Sequence, residues 1–266
     1  MSENVQNGDD NVGYFAKILE YPDGSYDIMA ASRPVFKPEA AKAPRKPRKP
    51  QEEGQEQRIP KRKATDLERA QTRARAAVRR LALANEFRWF VTLTIDPEKI
   101  DSYDAAVCSK HLGQWLSNRV KRSGLKYVIV PELHKSGRIH YHGLMNDVLE
   151  AVESGHTDSE GHTVYNLPEW DYGFTTAIEL YGDYHAAVGY CCKYIGKGST
   201  KIGGRWYYSG GDLAKPVEKF VDIQAWELLE MQTEEFKEQY GQGWTKATPS
   251  GLFAGINGMN KMEGNV

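Results

Sequence analysis

The sequence predicts an α+β fold in which helices flank a central antiparallel sheet. Three observations carry this. β-prone runs alternate along the chain with stretches at helical spacing. Two of those runs, Lys126–His134 and Arg138–Met145, are joined by a turn around Ser136-Gly137, and so short a connection demands antiparallel pairing. Helices interleaved with such a sheet pack as an α+β sandwich. At 40% hydrophobic residues, the 266-residue chain can fill one sizeable core. It has no apolar run long enough to span a membrane.

The elements follow in order. Residues 12–36 predict a hairpin, because two alternating apolar runs flank Pro22-Asp23-Gly24. Residues 37–63 are Pro-, Lys-, Arg-, Glu- and Gln-rich; they bury too little apolar area to fold and predict a basic disordered linker. A helix is expected from Thr65, which with Glu68 forms a capping box. Its apolar residues Ala70, Ala74, Ala77, Val78, Leu81 and Ala84 face inward, and Arg69, Arg73, Arg75, Arg79 and Arg80 make its other faces basic. Phe87–Ile95 is a strand ended by Asp96-Pro97, and residues 103–122 have helical spacing. After the 126–145 hairpin, residues 150–168 read as an insertion or irregular loop. Tyr172–Leu180 is a fourth strand of this region, Tyr184–Lys197 a helix, Ile202–Ser209 a further strand and Asp222–Tyr240 an acidic helix. A Gly-rich, loose tail is expected from Gly241. The chain thus divides into an N-terminal segment 1–36, the linker, a catalytic domain over 64–222 and a tail region over 223–266.

The first candidate site is the segment PELHKSGRIHYHGLM, residues 131–145. His140 and His142 are two apart in a strand and share a face, as do Glu132 and His134 on the preceding strand. An odd-length loop such as Ser136-Gly137-Arg138 sets His134 opposite His140 and Glu132 opposite His142, all on one side; an even loop splits the pairs between faces. Two imidazoles and a carboxylate on a rigid hairpin suit Mg²⁺ or Mn²⁺, and zinc would tolerate the same ligands. The bland alternative is an exposed strand whose histidines bind nothing.

The second candidate site is YCCKYIGK, residues 190–197. Tyr190, Lys193, Tyr194 and Lys197 recur at i, i+3, i+4 and i+7 and form one helical stripe, with Val188, Cys192 and Ile195 facing inward. A phenol is a poor nucleophile at neutral pH, since its ordinary pKa is about 10. Adjacent ammonium groups and a polarised phosphate make it an effective one. The alternative is a surface helix whose tyrosines pack by their rings.

These residues resemble the HUH endonucleases, specifically the rolling-circle replication initiators of phages and plasmids. FVTLT (90–94) is similar to that family's first motif, His140-Tyr141-His142 to its histidine–hydrophobe–histidine motif, and YCCKYIGK to its two-tyrosine motif. The resemblance runs from about Thr65 to Asp212 and includes GGRWYYSGG (203–211). It implies a ferredoxin/RRM-like sandwich with the histidines on the central sheet and the tyrosine helix beside it. It further implies His140, His142 and Glu132 as metal ligands, and Tyr190 and Tyr194 as nucleophiles assisted by Lys193 and Lys197. The implied reaction is site-specific nicking and joining of single-stranded DNA through a 5′-phosphotyrosine.

The charge distribution agrees with a polyanionic partner. Residues 42–80 hold 14 Lys/Arg and 5 Asp/Glu, whereas the remaining residues hold 21 and 31. Arg205, Trp206, Tyr207 and Tyr208 interleave aromatic and basic groups and are candidates for DNA contact; Trp89, inside a strand, is expected in the core. The expected partners are single-stranded DNA at a replication origin and a separate helicase and polymerase, since no G-x-x-x-x-G-K-[ST] sequence occurs. Three cysteines, two of them adjacent, make a poor disulfide framework, and the polar N-terminus is no secretory signal. A cytoplasmic location in a bacterial host follows as the expectation. Two other readings stay open: a transposase or relaxase of the same superfamily, and a non-catalytic nucleic-acid-binding module.

Overall fold

In the computed structural model, residues 13–36, 62–180, 184–195, 200–222, 224, 243–248 and 251–258 are described. The chain forms two compact units: Ile59–Lys215, and a second built from both ends, Met1–Arg58 with Pro216–Val266.

The Ile59–Lys215 unit has two kinds of strand, and burial separates them. β3 (Trp89–Ile95) alternates buried and half-buried residues, the signature of a strand with one face in the core. Here β1 (Gly13–Glu20) and β2 (Tyr26–Phe36) belong to the other unit, and α1 (Arg62–Leu83) precedes β3. α2 (Ala105–Ser123) follows, capped by the Asp104 carboxylate, which accepts from the Ala106 and Val107 amides, and ended by Gly124 at φ 69°. Next come β4 (Tyr127–Leu133), β5 (Ile139–Met145), β6 (Val152–Thr157), β7 (Thr163–Asn166), β8 (Gly173–Glu179), α3 (Tyr184–Lys193) and β9 (Tyr208–Gly210). The seven strands pair antiparallel in the order β6-β7-β8-β3-β5-β4-β9. This is an α+β fold, with a large antiparallel sheet and three helices.

One face of the sheet packs on α2. Trp89, Val91, Leu93, Ile95, Ile129, Ile139, Tyr141 and Met145 meet Cys108, Leu112, Trp115 and Leu116 there, all nearly or fully buried. Trp115 and Trp170 close its end: their rings meet edge to face at 5.2 Å, and their indole N–H groups donate to the Glu169 and Thr94 carbonyls. Trp89 is accordingly a core residue. The opposite face carries Phe90, Thr92, Thr94, His140 and His142, and α1 and α3 pack together over part of it.

Several expectations are corrected. Residues 150–168 are ordered as the β6–β7 hairpin, whose β6 residues are largely exposed and therefore lack the apolar alternation that marks a strand. The strand expected over Ile202–Ser209 is confined to β9, because Gly203 (φ 57°) and Gly204 (φ 76°) bend the preceding residues into a turn bridged between Ile202 and Arg205. α3 stops at Lys193: the Tyr194 and Ile195 amides reach back three residues to Cys191 and Cys192, tightening the last turn.

The second unit is a five-stranded antiparallel sheet in the order β10-β1-β2-β12-β11, where β10 is Val217–Val221, β11 Gly243–Thr248 and β12 Gly251–Gly258. The predicted N-terminal hairpin is its centre: β1 pairs with β2 through a turn whose Gly24 has φ 79°. The Gly-rich stretch after Gly241 supplies β11 and β12 instead of a loose tail, and β12 completes the pairing of β2. Ion pairs from Lys17 to Glu218 and from Lys219 to Glu20 lace β1 to β10. The linker expected over 37–63 lies almost wholly outside the described residues, and so does most of the acidic helix expected over 222–240.

Candidate active site

The H-Y-H strand owes its two-sidedness to the period of β5. Tyr141 points into the α2 core and is fully buried, while His140 and His142 project from the other face. The β4–β5 turn is Lys135-Ser136-Gly137, one residue earlier than expected: the His134 amide donates to the Arg138 carbonyl and Gly137 adopts φ 83°. The loop is still odd in length, so Glu132 stays on the histidine face. Its partner, however, is His140, and Val130 stands opposite His142. The expected pairing is thus displaced by two residues along the strand, the smallest slip that keeps the faces.

His142 is the best-held of these groups. Its side chain is 8% exposed and its Nε2 meets Glu132 Oε2 at 2.7 Å, diagonally across the hairpin. Its Nδ1 lies 3.1 Å from the Thr92 hydroxyl on β3. With Nε2–H donating to the carboxylate, the neutral ring accepts from Thr92. His140 stacks on the His134 ring at 4.9 Å. Burial, and then the facing His134, lower the His140 pKa from its ordinary value, while Glu132 acts in the opposite direction. Neutral imidazole is therefore the favoured form at that position.

The two tyrosines arrive on α3. Its ten residues are too few for a helix to be stable alone, and ties to α1 position it at both ends. The Tyr184 hydroxyl donates to the Ala82 carbonyl at 2.9 Å, and Arg75 Nε donates to the Ile195 carbonyl at 2.8 Å. Val188 and Cys191 are buried beneath it, so Cys191 rather than the expected Cys192 takes the inward position. The Tyr194 ring lies flat on His142, with centroids 4.0 Å apart and planes 12° apart. Its hydroxyl donates to the Tyr190 hydroxyl at 2.9 Å. Tyr194 is 8% exposed and Tyr190 47%. Burial and the hydrogen bond to Tyr190 raise the Tyr194 pKa well above the ordinary phenol value. Tyr190 also meets the edge of Phe90, and the Lys193 ammonium stands 5.5 Å from the Tyr190 ring centre.

The structure therefore brings together Glu132, His140, His142, Tyr190, Lys193 and Tyr194. Lys197 lies outside the described residues. Two imidazoles and a carboxylate sharing one face suit a divalent cation in donor type. Among the described residues, though, no three His, Cys, Asp or Glu side chains stand grouped so as to hold a metal ion. Glu132 is engaged by His142, and His140 by His134.

The four candidate DNA residues separate from this site. Tyr208 is buried in the α2 core with its hydroxyl donating to Ser109 at 2.9 Å, so its ring packs and offers no free face to a base. Arg205 is exposed, with its guanidinium 5.5 Å from the Tyr208 ring centre, and belongs to the α2 side of the sheet. Trp206 and Tyr207 are half-buried. Sequence reasoning misses two contributors. Thr92 sits inside the FVTLT motif, but its bond to His142 requires the β3–β5 register. Arg75 is one basic residue among many on α1, and nothing in its spacing marks it as the tie to α3.

A family model described as replication-associated protein ORF2 matches residues 88–199. That span opens just before β3, ends just beyond α3 and contains every residue of the assembled site. The match supports a role in the initiation of DNA replication. No curated protein and no solved structure matches the chain. Among the described residues, no helix is long and apolar enough to cross a membrane.

Proposed function

We propose that this chain is a rolling-circle replication initiator that nicks single-stranded DNA with Tyr190 and remains joined to the 5′-phosphate. One observation carries the reading: Tyr194 stacks on His142 and bonds to Tyr190, so the two-tyrosine helix and the histidine strand form a single site. Tyr190 is the first attacker because it is the exposed member of the pair and receives the Tyr194 hydrogen bond. A donor aimed at its oxygen stabilises the phenolate that forms as the proton leaves. The Tyr190 oxygen attacks phosphorus, a phosphotyrosine bond replaces the phosphodiester bond, and the 3′-oxygen departs and takes up a proton. Lys193 offsets charge beside the phenol. A divalent cation held by His140, His142 and Glu132 would supply further neutralisation of the phosphate. Thr92 fixes the orientation of His142, and Glu132 opposite His140 keeps the carboxylate at the imidazoles.

The test incubates the protein with Mn²⁺ or Mg²⁺ and single-stranded DNA and looks for an adduct on a denaturing gel. Tyr190→Phe should form none. Tyr194→Phe should still form it, roughly 10- to 100-fold more slowly, the cost of one hydrogen bond to a charged group. His140→Ala should remove it while the fold survives. If the single Tyr190 substitution leaves the adduct intact, Tyr190 is not the first attacker; if wild-type protein gives no adduct, the chain does not carry out this reaction. A non-catalytic binding module would give DNA binding without any adduct.

A further inference from the structure

The sheet face that carries the histidines continues past them onto β8, and an aromatic side chain stands there in the open. Phe174 is 67% exposed, although it lies within a strand. The registers fix which side it occupies. Phe174 pairs with Thr94, Thr94 pairs with His140, and His140 pairs with Glu132. Residues directly opposite one another in antiparallel strands project to the same side. Phe174, Thr94, His140 and Glu132 therefore form one row across four strands. With strands about 4.8 Å apart, Phe174 stands about 10 Å from His140.

Its strand neighbours Thr175 and Ala177 turn inward and are buried, so the core on the far side of the sheet is complete without it. Thr176 is exposed beside it and Thr92 and Thr94 are half-buried, giving a polar floor around a lone ring. An exposed aromatic on a polar sheet face suits a flat, unpaired ligand. Successive bases of a single strand offer such faces, whereas a duplex keeps them stacked.

We propose that Phe174 is a stacking platform for an unpaired DNA base flanking the phosphate at the His140–His142 site. This rests on the nicking reading for the position of that phosphate. It adds a positioning residue that sets which stretch of strand lies over the tyrosines.

The test measures equilibrium binding, by fluorescence anisotropy, of a labelled twelve-nucleotide oligothymidylate and of an abasic strand of the same length. The wild-type chain should bind the thymidylate strand more tightly. Phe174→Ala should weaken that binding about tenfold, in line with the loss of one base–aromatic stack, and leave the abasic strand unchanged. Phe174→Trp should restore the difference, which a merely structural role would not predict. No loss in Phe174→Ala, or an equal loss on both strands, overturns the proposal. So does a wild-type chain that binds the two strands alike. The readout needs no cleavage: base-dependent binding through Phe174 in a chain that forms no adduct would remove the nuclease reading and keep the platform.

Discussion

Gly143, the residue after the H-Y-H motif, shows how tightly single positions are held near the site. A methyl group there would collide with the Val128 carbonyl oxygen and stand 2.8 Å from Ile129 Cα, backbone that cannot swing aside. Gly143→Ala is therefore expected to force β4 and β5 apart and cost about 2 kcal/mol, lowering Tm by roughly 4–8 °C in a thermal melt. An unchanged melt would show that the strands can separate cheaply. The same scale decides what sequence can reveal. That His140 and His142 share a face follows from their spacing alone. Which residue stands opposite each does not, because the turn's start depends on Gly137 adopting a left-handed conformation. The exposure of Phe174 is equally hidden: a Phe in a strand reads as core until its neighbours' register turns it outward.

Among the elements, α3 matters most to the proposed chemistry and has the least stability of its own. Arg75→Ala removes its tie at the Ile195 carbonyl, a half-exposed hydrogen bond worth about 1 kcal/mol. We expect Tm to fall by only about 2–4 °C while adduct formation slows markedly, since the tyrosines lose their fixed place over His142. A variant with wild-type adduct rate would show that the Tyr184 tie suffices. Elements with a buried face are legible in sequence: β3, α2, β4, β5 and β8 all carry the period that burial imposes. β6 and β7 are not, because exposed residues such as Glu153 and His156 give no alternation to read. β11 and β12 are hidden for a related reason: Gly-rich runs carry weak strand propensity and pair only because β2 offers an edge.

For the molecule as a whole, the division into two units separates chemistry from the terminal sheet. Every residue of the candidate site lies within Ile59–Lys215. A fragment of residues 59–215 is therefore expected to fold and to form the tyrosine adduct, at a rate near that of the full chain when DNA is saturating. Loss of the adduct in a folded fragment, judged by circular dichroism, would show that the terminal sheet takes part in the reaction. The concentration of positive charge in residues 42–80 is plain from composition, and it includes the α1 arginines of this fragment.

The interleaving of the two chain ends in one sheet has a consequence for synthesis. Emerging from the ribosome, β1 and β2 form a hairpin whose partners β10 and β12 are still untranslated. β12 follows roughly two hundred residues later, a delay on the order of 10–40 s at ordinary elongation speeds. A lone hairpin is marginal in water, and its open edges invite other strands. The contiguous middle of the chain can meanwhile finish folding. The terminal sheet closes only on a polypeptide translated through its last strands, so truncated products would carry a formed centre beside an unsatisfied, adhesive hairpin.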